Sequence, residues 1–149
     1  MTFLFFFLRC FIVFNHGGGL DVMPYRFVKW ILKGTPITLY GDGTQARDFT
    51  YVDDIARGTI LAEKPLGYEI INLGGGKEPV TINQFIAWIE ELTGKKAIIN
   101  YQPNHSADMI ETMANIEKAK RLLVWEPNVN TLKGLRILIE NKELLRFKV

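Results

Sequence analysis

Little in this chain invites disulfide, metal or nucleic-acid chemistry. One cysteine, Cys10, among 149 residues excludes an internal disulfide and fits a reducing compartment, so a cytoplasmic location is expected. No metal centre is expected. The net charge is +2, and no basic block is longer than Lys95-Lys96 or Lys120-Arg121, so nothing suggests a nucleic-acid partner. A long apolar run is missing too. The stretch Met1 to Phe14 is shorter than the roughly 20 residues that span a bilayer, and Arg9 interrupts it. It has no basic leader before it and no small-residue cleavage site after it, so neither a stable span nor a signal is expected.

What is present is the composition of a folded domain. Hydrophobic residues make up 48% and charged ones 23%, which argues against disorder. This length buries roughly two thirds of the unfolded surface. Leu8 to Phe14 is a continuous apolar, partly β-branched run and reads as a strand buried on both faces of a parallel sheet; the competing reading is a membrane-binding or aggregation-prone tail. Gly17-Gly18-Gly19 lacks the spacing of a phosphate cradle and reads as a connector, and His16 beside it as a loop residue rather than an acid or base. Asp21 to Lys33 has a helical apolar face, with Pro24 in its first turn and Gly34 at its end.

Further on, Tyr68 to Leu73 reads as a buried strand, and Gly74-Gly75-Gly76 as a close-packed turn without chemistry. Thr81 to Gln84 forms a capping box, and Val80 with Phe85 a hydrophobic staple. They open a helix whose apolar positions continue from Ile82 to Leu92 and which Gly94 closes. Ala97 to Tyr101 reads as a strand, Asn115 as the cap of a short helix, and Thr131 as the start of the last helix.

The richest stretch is Pro36 to Gly58, PITLYGDGTQARDFTYVDDIARG. Ile37 and Leu39 describe a half-buried strand, and Gly41-Asp42-Gly43 a corner that needs φ > 0. Phe49 and Tyr51 alternate with Asp48 and Thr50, and Asp53 or Asp54 is placed to cap the helix that follows. Arg47 admits two readings. It pairs with Asp48 or Asp53 on a solvated loop, a contact contributing about 0–1 kcal/mol. Alternatively it is a cation beside a rigid glycine corner, suited to bidentate grip of a phosphate.

This stretch resembles the late segment of the extended short-chain dehydrogenase/reductases, the NAD-dependent nucleotide-sugar epimerases and dehydratases, and above all their UDP-glucuronate 4-epimerase branch. There a GDG turn precedes RDFTYVDDIARG. The resemblance implies that Arg47 binds the diphosphate of a UDP-sugar, and that the backbone of Thr38, Leu39 and Tyr40 lies against the uracil. It extends upstream through Leu8, Arg9, Phe11, Val13 and Asp21, with departures at Ile12, Asn15-His16 and Gly19. Downstream it covers Ala114 to Pro127 and implies that Asp108 contacts the ribose while His105 assists the phosphates. Asp108 also reads simply as a loop residue capping a turn.

Two features of the family have no counterpart here: the glycine-rich turn that binds the NAD pyrophosphate, and the Tyr-x-x-x-Lys acid/base pair. Tyr25 and Lys29 match that spacing only by chance, on the wrong side of the late strand. The expectation is therefore a C-terminal portion of such an enzyme. It would be an α/β chain with residues 1–20 as a late strand of a truncated Rossmann-type parallel sheet plus connector, and 21–149 as the substrate-binding lobe. No catalytic residue is assigned. NAD is expected to serve the full-length family and not to bind this chain alone. An orphan strand would favour self-association or a homodimer. The competing functions are a same-family dehydratase or decarboxylase, a non-catalytic interaction module pairing with a full-length relative, and membrane attachment through Met1 to Phe14.

Overall fold

The computed structural model describes residues 6–14, 23–76, 79–104 and 109–141. Among these residues it is an α/β fold with four two-stranded pairs. Three are parallel: β1 (Phe6–Cys10) with β6 (Glu69–Leu73), β2 (Val13–Phe14) with β5 (Thr50–Tyr51), and β3 (Ile37–Tyr40) with β8 (Ile99–Gln102). The fourth, β4 (Ala46–Arg47) with β7 (Val80–Thr81), is antiparallel. Five helices carry the crossovers and cover the pairs: α1 (Met23–Lys33), α2 (Val52–Leu61), α3 (Ile82–Thr93), α4 (Glu117–Leu123) and α5 (Thr131–Glu140).

Local chemistry explains the best-formed elements. β3 alternates, with Ile37 and Leu39 buried and Thr38 and Tyr40 exposed. Thr81 caps α3 by accepting from the Gln84 N–H at 3.1 Å, and Gly94 ends it at φ 68° with its N–H on the Glu90 carbonyl. Asn130 caps α5 by accepting from the Lys133 N–H at 2.8 Å. Gly34 closes α1 at φ 67°.

Two apolar clusters result. The larger joins α1, α3 and α5 over β2, β3 and β5, with Phe49 stacked on Phe85 at 4.8 Å and Phe14 edge-on to Tyr51 at 5.7 Å. The smaller gathers Ile71, Leu73, Ala114, Leu123 and Trp125. Gly134 lets α5 approach Phe14, since a Cβ there would lie 2.7 Å from its ring.

Several sequence expectations are corrected. Leu8 to Phe14 is not one strand buried on both faces. The chain changes partner at Phe11 and Ile12, lying on β6 before them and on β5 after. Among the described residues β1 pairs along one edge only, and Phe7 is 55% exposed against Tyr68. Neither Asp53 nor Asp54 caps α2: the N-cap is Tyr51, without a side-chain hydrogen bond. Asn115 sits one residue before the α4 cap, Ile116, and accepts from the Glu117 N–H instead. Asp48 to Tyr51 does not alternate, for all four residues are buried.

Candidate functional site

β3 ends at Tyr40, and the chain turns at Gly41 (φ 80°) and Gly43 (φ 81°), conformations that suit glycine. Between them Asp42 accepts from the Thr44 N–H at 3.0 Å and the Thr44 hydroxyl at 2.6 Å. Those bonds, the hydroxyl's first, hold the Asp42 carboxyl below the usual carboxylate range. α3 braces the corner. Asn83 donates from Nδ2 to the Asp42 carbonyl and from its N–H to the Gly43 carbonyl, and a Cβ on Gly43 would fall 2.0 Å from its Oδ1. Gln45 ties the far side back to β3 through Nε2 on the Tyr40 carbonyl.

Arg47 stands on β4, half-buried. Its Nη1 donates to the carbonyls of Ala46 at 2.9 Å and Met109 at 2.8 Å, so two acceptors from separate segments fix the guanidinium plane. Asp48 is not its partner. That carboxylate, 3% exposed, accepts from the N–H groups of Ala114 at 2.8 Å and Gly76 at 3.2 Å. A hollow of about 50 Å³ lies beside the corner, lined by Asp42, Thr44, Gln45, Asn104, Met109 and Ile110. Met109, whose carbonyl accepts from Arg47, is one wall of this hollow, and Gln45, another, is bonded to the end of β3 at the Tyr40 carbonyl. Thr38 and Tyr40 present exposed side chains, whereas Leu39 is buried and can offer a ligand only its backbone. His105 and Asp108 lie outside the described residues, as do Asn15, His16 and the glycines at 17–19.

Reading the sequence missed the two buried carboxylates that hold the loops. Asp54, 2% exposed, accepts from the Asn128 N–H at 3.0 Å, the Val129 N–H at 2.9 Å and Arg57 Nη2 at 2.9 Å. Its carbonyl accepts from Trp125 Nε1 at 2.9 Å. Asp48 does the same for the 109–114 segment, which Ala46 also engages, through Ala46 N–H to Ile110 O and Thr112 N–H to Ala46 O. Every donor is more than twenty residues away except Arg57, so no local pattern announces the role.

A dinucleotide pyrophosphate needs free N–H groups at a helix N-terminus behind a glycine turn. The glycines at 74–76 do follow β6 and precede α3. However, the first N–H groups of α3, on Ile82, Asn83 and Gln84, are taken by Gln45 O, Gly43 O and Thr81 Oγ1. The turn does not fit an NAD pyrophosphate. Nor do the described residues bring together a cluster of His, Cys, Asp or Glu able to hold a metal.

Fold and corner together define a class: an α/β chain with parallel strand pairs and an arginine fixed beside a glycine turn. Residues 3–74 match the family described as NAD dependent epimerase/dehydratase. The UDP-glucuronate 4-epimerase of Thermodesulfobacterium geofontis is 54% identical over 143 residues, which is 93% of this chain and 44% of that protein. Among solved structures, UDP-glucuronic acid 4-epimerase from Bacillus cereus in complex with UDP-glucuronic acid and NAD superposes with TM-score 0.84 at 38% identity. It is matched over 93% of this chain and 45% of its own. UDP-glucuronic acid decarboxylase 2 of Arabidopsis thaliana is 33% identical over 116 residues, 78% of this chain and 26% of that protein. The chain belongs to the NAD-dependent epimerase/dehydratase family, and it spans less than half the length of these relatives.

Proposed function

We propose that this chain is the nucleotide-sugar-recognising, C-terminal part of an NAD-dependent 4-epimerase acting on a UDP-sugar of the glucuronate or galactose type. Residues 1–20 would be a late strand and connector of the nucleotide-binding sheet, and 21–149 the substrate lobe. The observation that carries the reading is the Arg47 guanidinium, oriented by the Met109 carbonyl next to the corner formed by 41–43. A planar fork held in that way suits the oxygens of a diphosphate. The backbone of Thr38 to Tyr40 would meet the base, and Asp108 and His105 would complete the ribose and phosphate contacts. The chain carries no Tyr-x-x-x-Lys pair in the family's order, and the first N–H groups of α3, behind the glycines at 74–76, are already bonded within the chain. The 149 residues alone are therefore expected to bind substrate without turning it over.

Calorimetric titration of UDP-glucuronate into wild type and Arg47→Ala tests the reading. Loss of one charge-assisted bidentate contact weakens binding by about tenfold or more; equal heats for the two proteins would end it. A decarboxylase of the same family would use the same recognition and is separated only by the product formed when a complete nucleotide-binding half is present. One observation favours a second reading, a module that pairs with a full-length relative or with itself. Among the described residues β1 pairs along one edge only, and it carries exposed Phe7 next to Tyr68, 72% exposed.

A further inference from the structure

Arg47 and Asp48 are adjacent, and between them they hold one segment at both of its ends. Arg47 Nη1 donates to the Met109 carbonyl at 2.8 Å, while the Asp48 carboxylate accepts from the Ala114 N–H at 2.8 Å. Among the described residues little else restrains the stretch between. Met109, Ile110 and Met113 are 63%, 83% and 52% exposed, so apolar burial does little to place this stretch before Ala114 is reached, itself 2% exposed. Backbone pairing supplies two more bonds, from the Ala46 N–H to the Ile110 carbonyl at 2.8 Å and from the Thr112 N–H to the Ala46 carbonyl at 3.2 Å. The Asp48 bond is the one that pins the far end.

Asp48 is well suited to that task. It is 3% exposed, and the N–H groups of Ala114 and Gly76 converge on the same oxygen, Oδ2. Bonds to an ionised acceptor are about twice as strong as neutral ones. The glycines that follow β6 make room for the arrangement: a Cβ on Gly74 would fall 2.2 Å from that of Ala114, and one on Gly75 would fall 2.0 Å from Asp48 Oδ1. The carboxylate therefore acts on the chain and not on a ligand. A planar guanidinium grips two oxygens only where its plane is fixed, and a binding site tolerates about 0.5 Å of displacement. We propose that Asp48 is a positioning residue for phosphate recognition: by anchoring Ala114 it fixes the Met109 carbonyl, and through that carbonyl the plane in which Arg47 meets a diphosphate. The inference rests on the nucleotide-sugar reading and adds to it a residue that touches no ligand.

The test is an amide-shift NMR titration of the 149-residue chain with UDP and, separately, with uridine, which lacks the phosphates. Asp48→Asn keeps the shape and one acceptor oxygen but removes the charge, so it is expected to weaken UDP binding by about threefold and to leave uridine binding unchanged. Asp48→Ala removes the acceptor altogether and is expected to weaken UDP by about tenfold, again without effect on uridine. On an Arg47→Ala background neither substitution weakens UDP further, because the group they position is gone. Asp53→Asn removes an equal charge from an exposed position on the same stretch and is expected to change neither affinity. The proposal is overturned if Asp48→Asn binds UDP as tightly as wild type or more tightly, if UDP and uridine lose affinity equally, or if the loss persists on the Arg47→Ala background. Each of those results leaves the nucleotide-sugar reading standing so long as Arg47→Ala alone weakens UDP. If Arg47→Ala does not, both fall together.

Discussion

Replacing Asp54 by asparagine removes one charge and changes almost nothing in shape, which makes it a sharp probe of what closes the smaller core. The carboxylate is 2% exposed and accepts from two backbone N–H groups 74 and 75 residues away, so it fixes the 125–129 segment to α2. Asparagine keeps one acceptor oxygen but points an NH2 group at the other N–H. That loses a charge-assisted bond, each contributing about 1.5–3 kcal/mol, and leaves an amide donor unmatched. Arg57, a third exposed, loses a screened partner and adds little. The expected total is about 3 kcal/mol, or roughly 6–12 °C in Tm for a chain of this size. Urea unfolding followed by tryptophan emission reads it, since Trp125 sits on the Asp54 carbonyl. Asp53→Asn is the control. Asp53 is exposed on the same turn and is expected to shift stability by no more than about 0.5 kcal/mol. If both variants fell within that margin, the buried carboxylate would not be the tie described.

Gly43→Ala places a Cβ 2.0 Å from Asn83 Oδ1 at φ 81°, so it is expected to destabilise by about 2 kcal/mol or more and to weaken UDP-glucuronate binding. Gly94→Ala, at φ 68° with open space, costs about 1 kcal/mol and leaves binding alone; denaturation and calorimetry on the two variants check both statements. Asp42 has a folded pKa depressed by Thr44, so its contribution to stability is present above the ordinary carboxylate pKa and lost as pH falls through the lower folded value. The Tm difference between wild type and Asp42→Asn is therefore expected at pH 7 and to vanish in strong acid. Phe7→Lys charges the exposed edge of β1 and is expected to reduce self-association in sedimentation velocity, with the UDP-glucuronate affinity unchanged.

Local rules sufficed wherever a residue's partner lies within a turn or two. Thr81 and Gly94 mark α3 at both ends, Ile37 and Leu39 mark the buried face of β3, and the glycines at 41 and 43 mark the corner. α5 begins where Thr131 implied, with Asn130 as the cap. The rule failed for carboxylates. Asp53 and Asp54 are adjacent and identical, yet one is exposed and the other buried, because their distinction lies in donors near residue 128. The same holds for Asp48 and Ala114. Leu8 to Phe14 is apolar apart from Arg9, and no turn residue within it shows that its two halves lie on different strands. As for the candidate site, Arg47 beside the corner could be read from spacing and resemblance, but its grip on Met109 could not, since 62 residues separate them.

The central claim is that the Arg47 corner holds a nucleotide-sugar. Mapping amide shifts along the chain during titration with UDP-glucuronate addresses it most directly. The account predicts changes concentrated at residues 38–47 and at Met109 and Ile110, abolished by Arg47→Ala in a protein that remains folded. Changes centred on α1 or the smaller core instead, or a map unaltered by Arg47→Ala, would contradict it.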